Sequence, residues 1–270
     1  MKDVIKITLL ALALFLSGCM SSTTSAGSVG ANRKQLILID SSAMNQSAAQ
    51  SYAAILTAAK NQGKLNPDPA QNRRVAMIAA RLIAQTPTFR PDALRWQWQA
   101  AVLKSDELNA WCMPGGKIAV YTGIIERLRL TDGELAAIIG HEIAHALREH
   151  SAEQASSDAL KNIGLQAITH VAGLDNLSSA ALGVAAKYTL SMPFSRSHEK
   201  EADHIGAELM ARAGYDPNEA INVWIKMSSA SSSQMPEILS THPSNQSRIK
   251  DLQETAKKLY PLYLQAISKK

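Results

Sequence analysis

The stretch Thr131-Asp132-Gly133-Glu134-Leu135-Ala136-Ala137-Ile138-Ile139-Gly140-His141-Glu142-Ile143-Ala144-His145-Ala146-Leu147-Arg148-Glu149-His150 decides how this chain is read. It reads as one helix. Thr131 can cap it, and Glu134 three residues on completes a capping box. Leu135, Ile138, Ile139 and Ala146 supply its apolar side. The fourth residue on returns to nearly the same face of a helix, so His141 and His145 point the same way and can hold one metal ion between them. Glu142 lies about 100° round from His141, placed to reach a water on that metal without binding the metal. This is the H-E-x-x-H arrangement of a zinc peptidase. Two helical histidines can also be satisfied in a core or by solvent, so the rest of the chain has to supply the missing ligand. On a continuous helix His150 falls about half a turn from His141 and points away from a shared metal.

A catalytic zinc takes three protein ligands and keeps one position open. The metzincin spacing would need Gly at 148 and His at 151, where this chain has Arg148 and Ser151. The best third ligand lies in His198-Glu199-Lys200-Glu201-Ala202-Asp203. Glu199 and Asp203 share a helix face. One can ligate while the other accepts the remaining N–H of a zinc histidine and so fixes its tautomer. Glu201, on the opposite face, is the second choice for ligand. Taken alone, Glu199 and Asp203 would read as a solvated acidic face. Gly206 and Met210 continue that face, and Gly206 would permit a close helix approach.

Working outward, the 270 residues are 46% hydrophobic, enough for one well-buried domain or two small ones. Lys2 and Lys6 with the apolar run Ile7 to Leu16 read as a signal peptide, too short to span a bilayer. The run ends Leu16-Ser17-Gly18-Cys19, which resembles the lipobox of bacterial lipoproteins. That resemblance implies cleavage before Cys19, acylation of its thiol and of the new amino terminus, and, with Met20 rather than Asp next, the outer membrane facing the periplasm. The alternative is an ordinary secretory signal with a chance cysteine. The expected organisation is therefore a signal peptide over 1–18, a lipidated cysteine and flexible tether over 19–42, and a catalytic domain over 43–270. Cys112 then has no partner and reads as a small strand residue. The net charge of +5, without a basic run interleaved with aromatics, implies no nucleic-acid partner.

Helical spacing is expected over Met44–Asn61, Ala70–Gln85, His198–Ala213 and Asn245–Leu259. Between them the period changes to two. Leu94–Leu103, Glu107–Met113 and Lys117–Thr122 read as strands, the last two joined by the turn Pro114-Gly115-Gly116. Strands followed by a run of helices predict an α+β fold, mainly helical with a small antiparallel sheet. Trp96 and Trp98 read as core residues. Ser228–Ser233 reads as a loop, and Ser151–Ser191 as buried helices or a cover over the site. His170, His198 and His204 read as structural or exposed.

Four stretches together resemble the HtpX/Oma-type gluzincin peptidases, the family that includes the CAAX prenyl endoprotease, and within it the periplasmic lipoprotein members. They are Asn109 to Gly123, the His141–His145 helix, Ser195-Arg196 through Glu199 to Gly206, and Thr241-His242-Pro243 through Arg248. The resemblance covers about the whole chain after the tether. It implies one zinc per chain on His141, His145 and Glu199, with Glu142 as general base and Asp203 as the carboxylate behind a ligand. It also implies that Asn109-Ala110-Trp111 is a substrate-binding edge strand, where an extended peptide adds itself by main-chain hydrogen bonds. His242 is implied to approach the metal as a regulatory fourth ligand; stabilising the tetrahedral intermediate, or shaping its loop with Arg248, are the other roles open to it. The function so implied is hydrolysis of internal peptide bonds in unfolded or misassembled envelope proteins. The rivals are a non-proteolytic assembly factor working with outer-membrane assembly machinery, and a structural zinc site.

Overall fold

A computed structural model describes residues 20–171, 184–230, 237–243 and 246–269, with side chains withheld over 162–171. Cys19 and the expected signal peptide lie outside the described residues, as do Asn245, the second half of the Ser228–Ser233 stretch, and the side chain of His170.

The elements run β1 (Met20–Ser21), β2 (Gln35–Leu36), α1 (Ser41–Asn61), α2 (Pro69–Ile83), β3 (Gln99–Leu103), β4 (Ala110–Met113), β5 (Lys117–Tyr121), α3 (Thr122–Arg127), α4 (Asp132–Leu147), α5 (His150–Val171), α6 (Arg196–Arg212), α7 (Glu219–Ala230), α8 (Glu237–Thr241) and α9 (Gln246–Ile267). This is a mainly helical α+β architecture with two small sheets among the described residues. Helix starts follow local chemistry. Asp68 caps α2 through Ala70 N–H with Pro69 in its first turn, Ser195 caps α6, and the Thr131–Glu134 capping box forms in both directions; each satisfies backbone donors left over at a helix start.

Helix α4 is the centre. Every residue from Glu134 to Leu147 is buried, His141, Glu142 and His145 included. It packs against α6, α2, α7 and β4. The period-two strands present two faces. Val102, Ala110, Cys112, Ile118 and Val120 join the core that includes α4; Ala101, Leu103, Trp111, Met113 and Ala119 pack with Met44, Ala48 and Tyr52 of α1. The sheet is thus covered on both sides, with β4 at one edge.

Several expectations are corrected. The sheet is mixed, in the order β3-β5-β4, with β5 antiparallel to β4 but parallel to β3. A tight turn through Gly115 and Gly116, both at positive φ, forces β4 and β5 into a hairpin, and β5 inserts between the other two strands. The strand expected from Leu94 begins only at Gln99. Pro91–Arg95 is a 3₁₀ turn, and Trp96 and Trp98 stack with ring centroids 5.4 Å apart, half-buried against the core. The Thr131–His150 helix stops at Leu147. Glu149 takes φ +51°, a left-handed conformation uncommon outside Gly, held by Arg90 Nη1 at 2.5 Å and Ser41 Oγ at 2.8 Å on its carboxylate. His150 therefore opens a new helix in a new direction.

The stretch read as a flexible tether is packed against the domain. Thr24, Ala31 and Gln35 are buried, and Arg148, wholly buried itself, donates to Ser22 Oγ, Thr24 Oγ1 and the Arg33 carbonyl. No described helix is long and apolar enough to cross a membrane.

Candidate metal centre

Helices α4 and α6 approach closely enough to bring their polar residues together. A Cβ on Gly206 would stand 2.8 Å from His141 N and 2.9 Å from the Gly140 carbonyl carbon, so only glycine permits this crossing. His141 and His145 point one way from α4, with their Nε2 atoms 3.1 Å apart. Glu199 on α6 meets both: Oε2 is 3.5 Å from His141 Nε2 and Oε1 is 3.4 Å from His145 Nε2. Ligands bonded to one zinc at about 2.0–2.1 Å in a tetrahedron stand about 3.3 Å apart. The two ring nitrogens stand near that spacing from each other, and each stands near it from one of the two Glu199 oxygens, so the donor set fits a metal ion.

His242, just after α8, completes the cluster. Its Nδ1 is 3.0 Å from Glu199 Oε1 and 3.3 Å from His141 Nε2, and its Nε2 is 3.5 Å from Glu142 Oε1. His141, His145, Glu199 and His242 are all buried, with one ligand atom each within 4.8 Å of the others. Phe194 covers the group, with ring centroids 4.1 Å from His145 and 5.3 Å from His242.

Glu142 stands beside this cluster. Its Oε1 is buried without a hydrogen bond, while the carboxylate accepts the backbone N–H of Cys112 on edge strand β4. Burial raises its pKa, against the pull of His242 and His141. Burial would also raise Glu199, but His242, His141 and His145 outweigh it and hold that carboxyl well below its usual range. For His141, burial is opposed by Asp203 and Glu199, which lift it to about 9; burial pulls His145 well down. Two buried carboxylates around two imidazoles favour a cation.

Behind His141, Asp203 Oδ1 lies 3.1 Å from Nδ1. Arg248 clamps Asp203 with Nε and Nη2 at 2.8 and 2.7 Å and brings Nη1 to 2.6 Å from Glu199 Oε2. It stacks over Trp224 at 4.0 Å, whose ring lies edge-on to His141. Arg248 thus does more than shape a loop: it ties both carboxylates to α9.

Sequence reading missed what lies behind His145. His150 Nδ1 is 3.0 Å from His145 Nδ1, and its Nε2 is 3.0 Å from Glu201 Oε2. Glu201, the second choice for a ligand, faces away from the cluster and bonds His150, Arg148 and Arg33 instead. No sequence signal marks this, because it depends on the break at Glu149. His198 is buried against Glu153, and His204 bonds Asp251. Asn109 adjoins the β4 edge, and its Oδ1 accepts the Ala110 N–H; Trp111 turns its ring to Tyr52, on the far side of the sheet from α4. Cys112 is buried and unpaired, its thiol pushed well up by burial.

Helix, sheet edge and His/His/Glu cluster define a metallopeptidase. Residues 69–256 match peptidase family M48, and the chain belongs to that family. It is 40% identical over 162 residues to the mitochondrial metalloendopeptidase OMA1 of Schizosaccharomyces pombe, covering 58% of this chain and 46% of that protein. The OMA1 of Arabidopsis thaliana is 37% identical over 153 residues, 57% of this chain and 30% of the relative. The β-barrel assembly-enhancing protease of Escherichia coli O157:H7 is 28% identical over 212 residues, 74% and 42% respectively. The chain spans less than half the length of each of these three relatives.

Proposed function

We propose that this chain is a zinc-dependent endopeptidase, anchored through a lipidated Cys19 to the periplasmic side of the outer membrane, that cleaves unfolded or misassembled envelope proteins. The observation carrying the reading is the buried His141–His145–Glu199 cluster with the unbonded Glu142 oxygen beside it. Zinc held by those three residues supplies a Lewis acid that acidifies water to a pKa of about 7 and polarises a carbonyl. Glu142, its pKa raised by burial, accepts the proton of the attacking water and returns it to the leaving amine. Asp203 accepts the Nδ1–H of His141 and keeps its Nε2 lone pair turned to the metal. Edge strand β4 pairs with substrate backbone, which restricts cleavage to extended chain.

His242 lies within ligand reach of the same cluster, and as a fourth ligand it would close the position that a water needs. The envelope assignment is supported by the lipobox-like Leu16–Cys19 run and by the likeness to an assembly-enhancing protease. A closed site also suits the second reading, an assembly factor that binds without cutting. Digestion of an unfolded outer-membrane protein by the purified chain separates the two. Cleavage that stops with Glu142→Gln while one zinc per chain stays bound supports the peptidase; equal cleavage by the variant sinks the mechanism, and none by the parent or by His242→Ala favours the assembly factor.

A further inference from the structure

The two histidines of α4 are held from behind by different means. His141 meets a carboxylate directly. His145 meets a second neutral ring, and that ring meets a carboxylate. We infer that His150 and Glu201, locked by Arg33 and Arg148, form a relay that positions His145 for metal binding, so that the segment preceding the catalytic domain is part of the metal centre's support.

Donor and acceptor capacity fixes the direction of each bond in the chain. A neutral imidazole has one N–H and one lone pair. Glu201 accepts two bonds from Arg33, at 2.8 and 3.1 Å, and one from Arg148 Nε at 3.1 Å. With arginine donors on both of its oxygens this carboxylate acts as the acceptor, so His150 Nε2, 3.0 Å away, is the donor. His150 Nδ1 then carries the lone pair. The contact at 3.0 Å is a hydrogen bond only if His145 Nδ1 bears its proton, and that leaves the His145 Nε2 lone pair facing Glu199 and His141. One carboxylate thereby sets the tautomer of two rings in series. With the opposite polarity His145 would present an N–H to the metal.

Arg148 caps α4 itself, but the other half of the lock lies outside both helices that carry the ligands. Arg33 comes from the segment between β1 and β2, and also bonds both Glu153 oxygens at 2.6 and 2.9 Å. Gln35 donates to the Arg148 carbonyl and to Glu153. The alternative use of this region is a second metal site on His150, Glu153 and His198, which also lie within 4.8 Å of one another. Arg33 already supplies the cation there by taking both Glu153 oxygens.

The relay rests on the reading of His145 as a zinc ligand, and the test separates the two. Zinc affinity of the full chain is measured by chelator competition, and the cobalt-substituted protein by its visible absorption. One tight zinc in the parent supports the ligand reading; no zinc in the parent refutes that reading and the relay with it. His150→Leu and Glu201→Leu are expected to lose about 10–100-fold in affinity, the range for groups that orient metal ligands, and to shift the cobalt spectrum. His150→Gln keeps an acceptor and a donor in series, and recovers part of the loss. Arg33→Met, at a half-exposed position that spares the core, weakens zinc by a smaller factor with the circular dichroism unchanged. Parent-like zinc affinity in folded Arg33→Met and His150→Leu overturns the relay. A second zinc per chain that disappears with His150→Leu overturns it as well.

Discussion

His141 and His145 are one turn apart on the same buried helix, yet what stands behind them differs in kind. Asp203 reaches His141 in one step, from a helix whose period already pairs it with Glu199. His145 is reached through His150, which is five residues on in sequence but returns to it only because the chain breaks at Glu149. The first support is built by periodicity within helices, the second by a turn and a strap from near the start of the chain. Periodicity can be read from a sequence, whereas a redirected helix cannot.

The largest effect lies in front of both rings. Glu142→Gln removes the proton acceptor while leaving each support intact, and is expected to cost about 10²–10⁴-fold in kcat with zinc content unchanged. Loss of zinc along with activity would mean that Glu142 holds the metal. Next comes the one-step support. Asp203→Ala is expected to weaken zinc about 10–100-fold, and it also strips Arg248 of its main partner. If its effect is no larger than that of Arg33→Met, the two sides are alike and the contrast fails.

Gly206→Ala tests the helix crossing under His141. Its Cβ would meet His141 N at 2.8 Å, and overpacking of this kind costs about 1–3 kcal/mol, read as a lowered Tm. An unchanged Tm would show that α6 can shift without penalty. The smallest effect is on the His145 side. Burial would raise Glu153, but hydrogen bonds from His198, Arg33 and Gln35 prevail and hold it at about 2 against an ordinary 4.5. A carboxyl depressed on folding stabilises above its unfolded pKa, and that contribution is lost as pH falls through the folded value. Tm should therefore drop between pH 4.5 and about 2, and Glu153→Gln should make the drop shallower. A profile identical in parent and variant would mean that the strap's ion pairs add nothing.

Much of the fold was legible for local reasons. The capping box at Thr131 and the Gly115-Gly116 hairpin each complete their bonds within a few residues. The parallel pairing of β3 with β5 was not legible, because strand order depends on which partner closes the core. Nor was the packing of residues 22–36: Ser, Thr and Gly side chains read as a flexible linker until Arg148, Glu153 and Glu201 provide partners.

For the candidate site, the sequence alone determined that His141 and His145 share a face, that Glu142 stands beside it, and that Glu199 and Asp203 share another. Those are consequences of 3.6 residues per turn. Only the tertiary structure decided that Glu199 rather than Glu201 meets the histidines, that His242 reaches Glu199 and His141, and that His150, Glu201 and Arg33 stand behind His145. These depend on the direction the chain takes after Glu149 and on the closeness Gly206 allows, and such distances are settled by packing between segments remote in sequence.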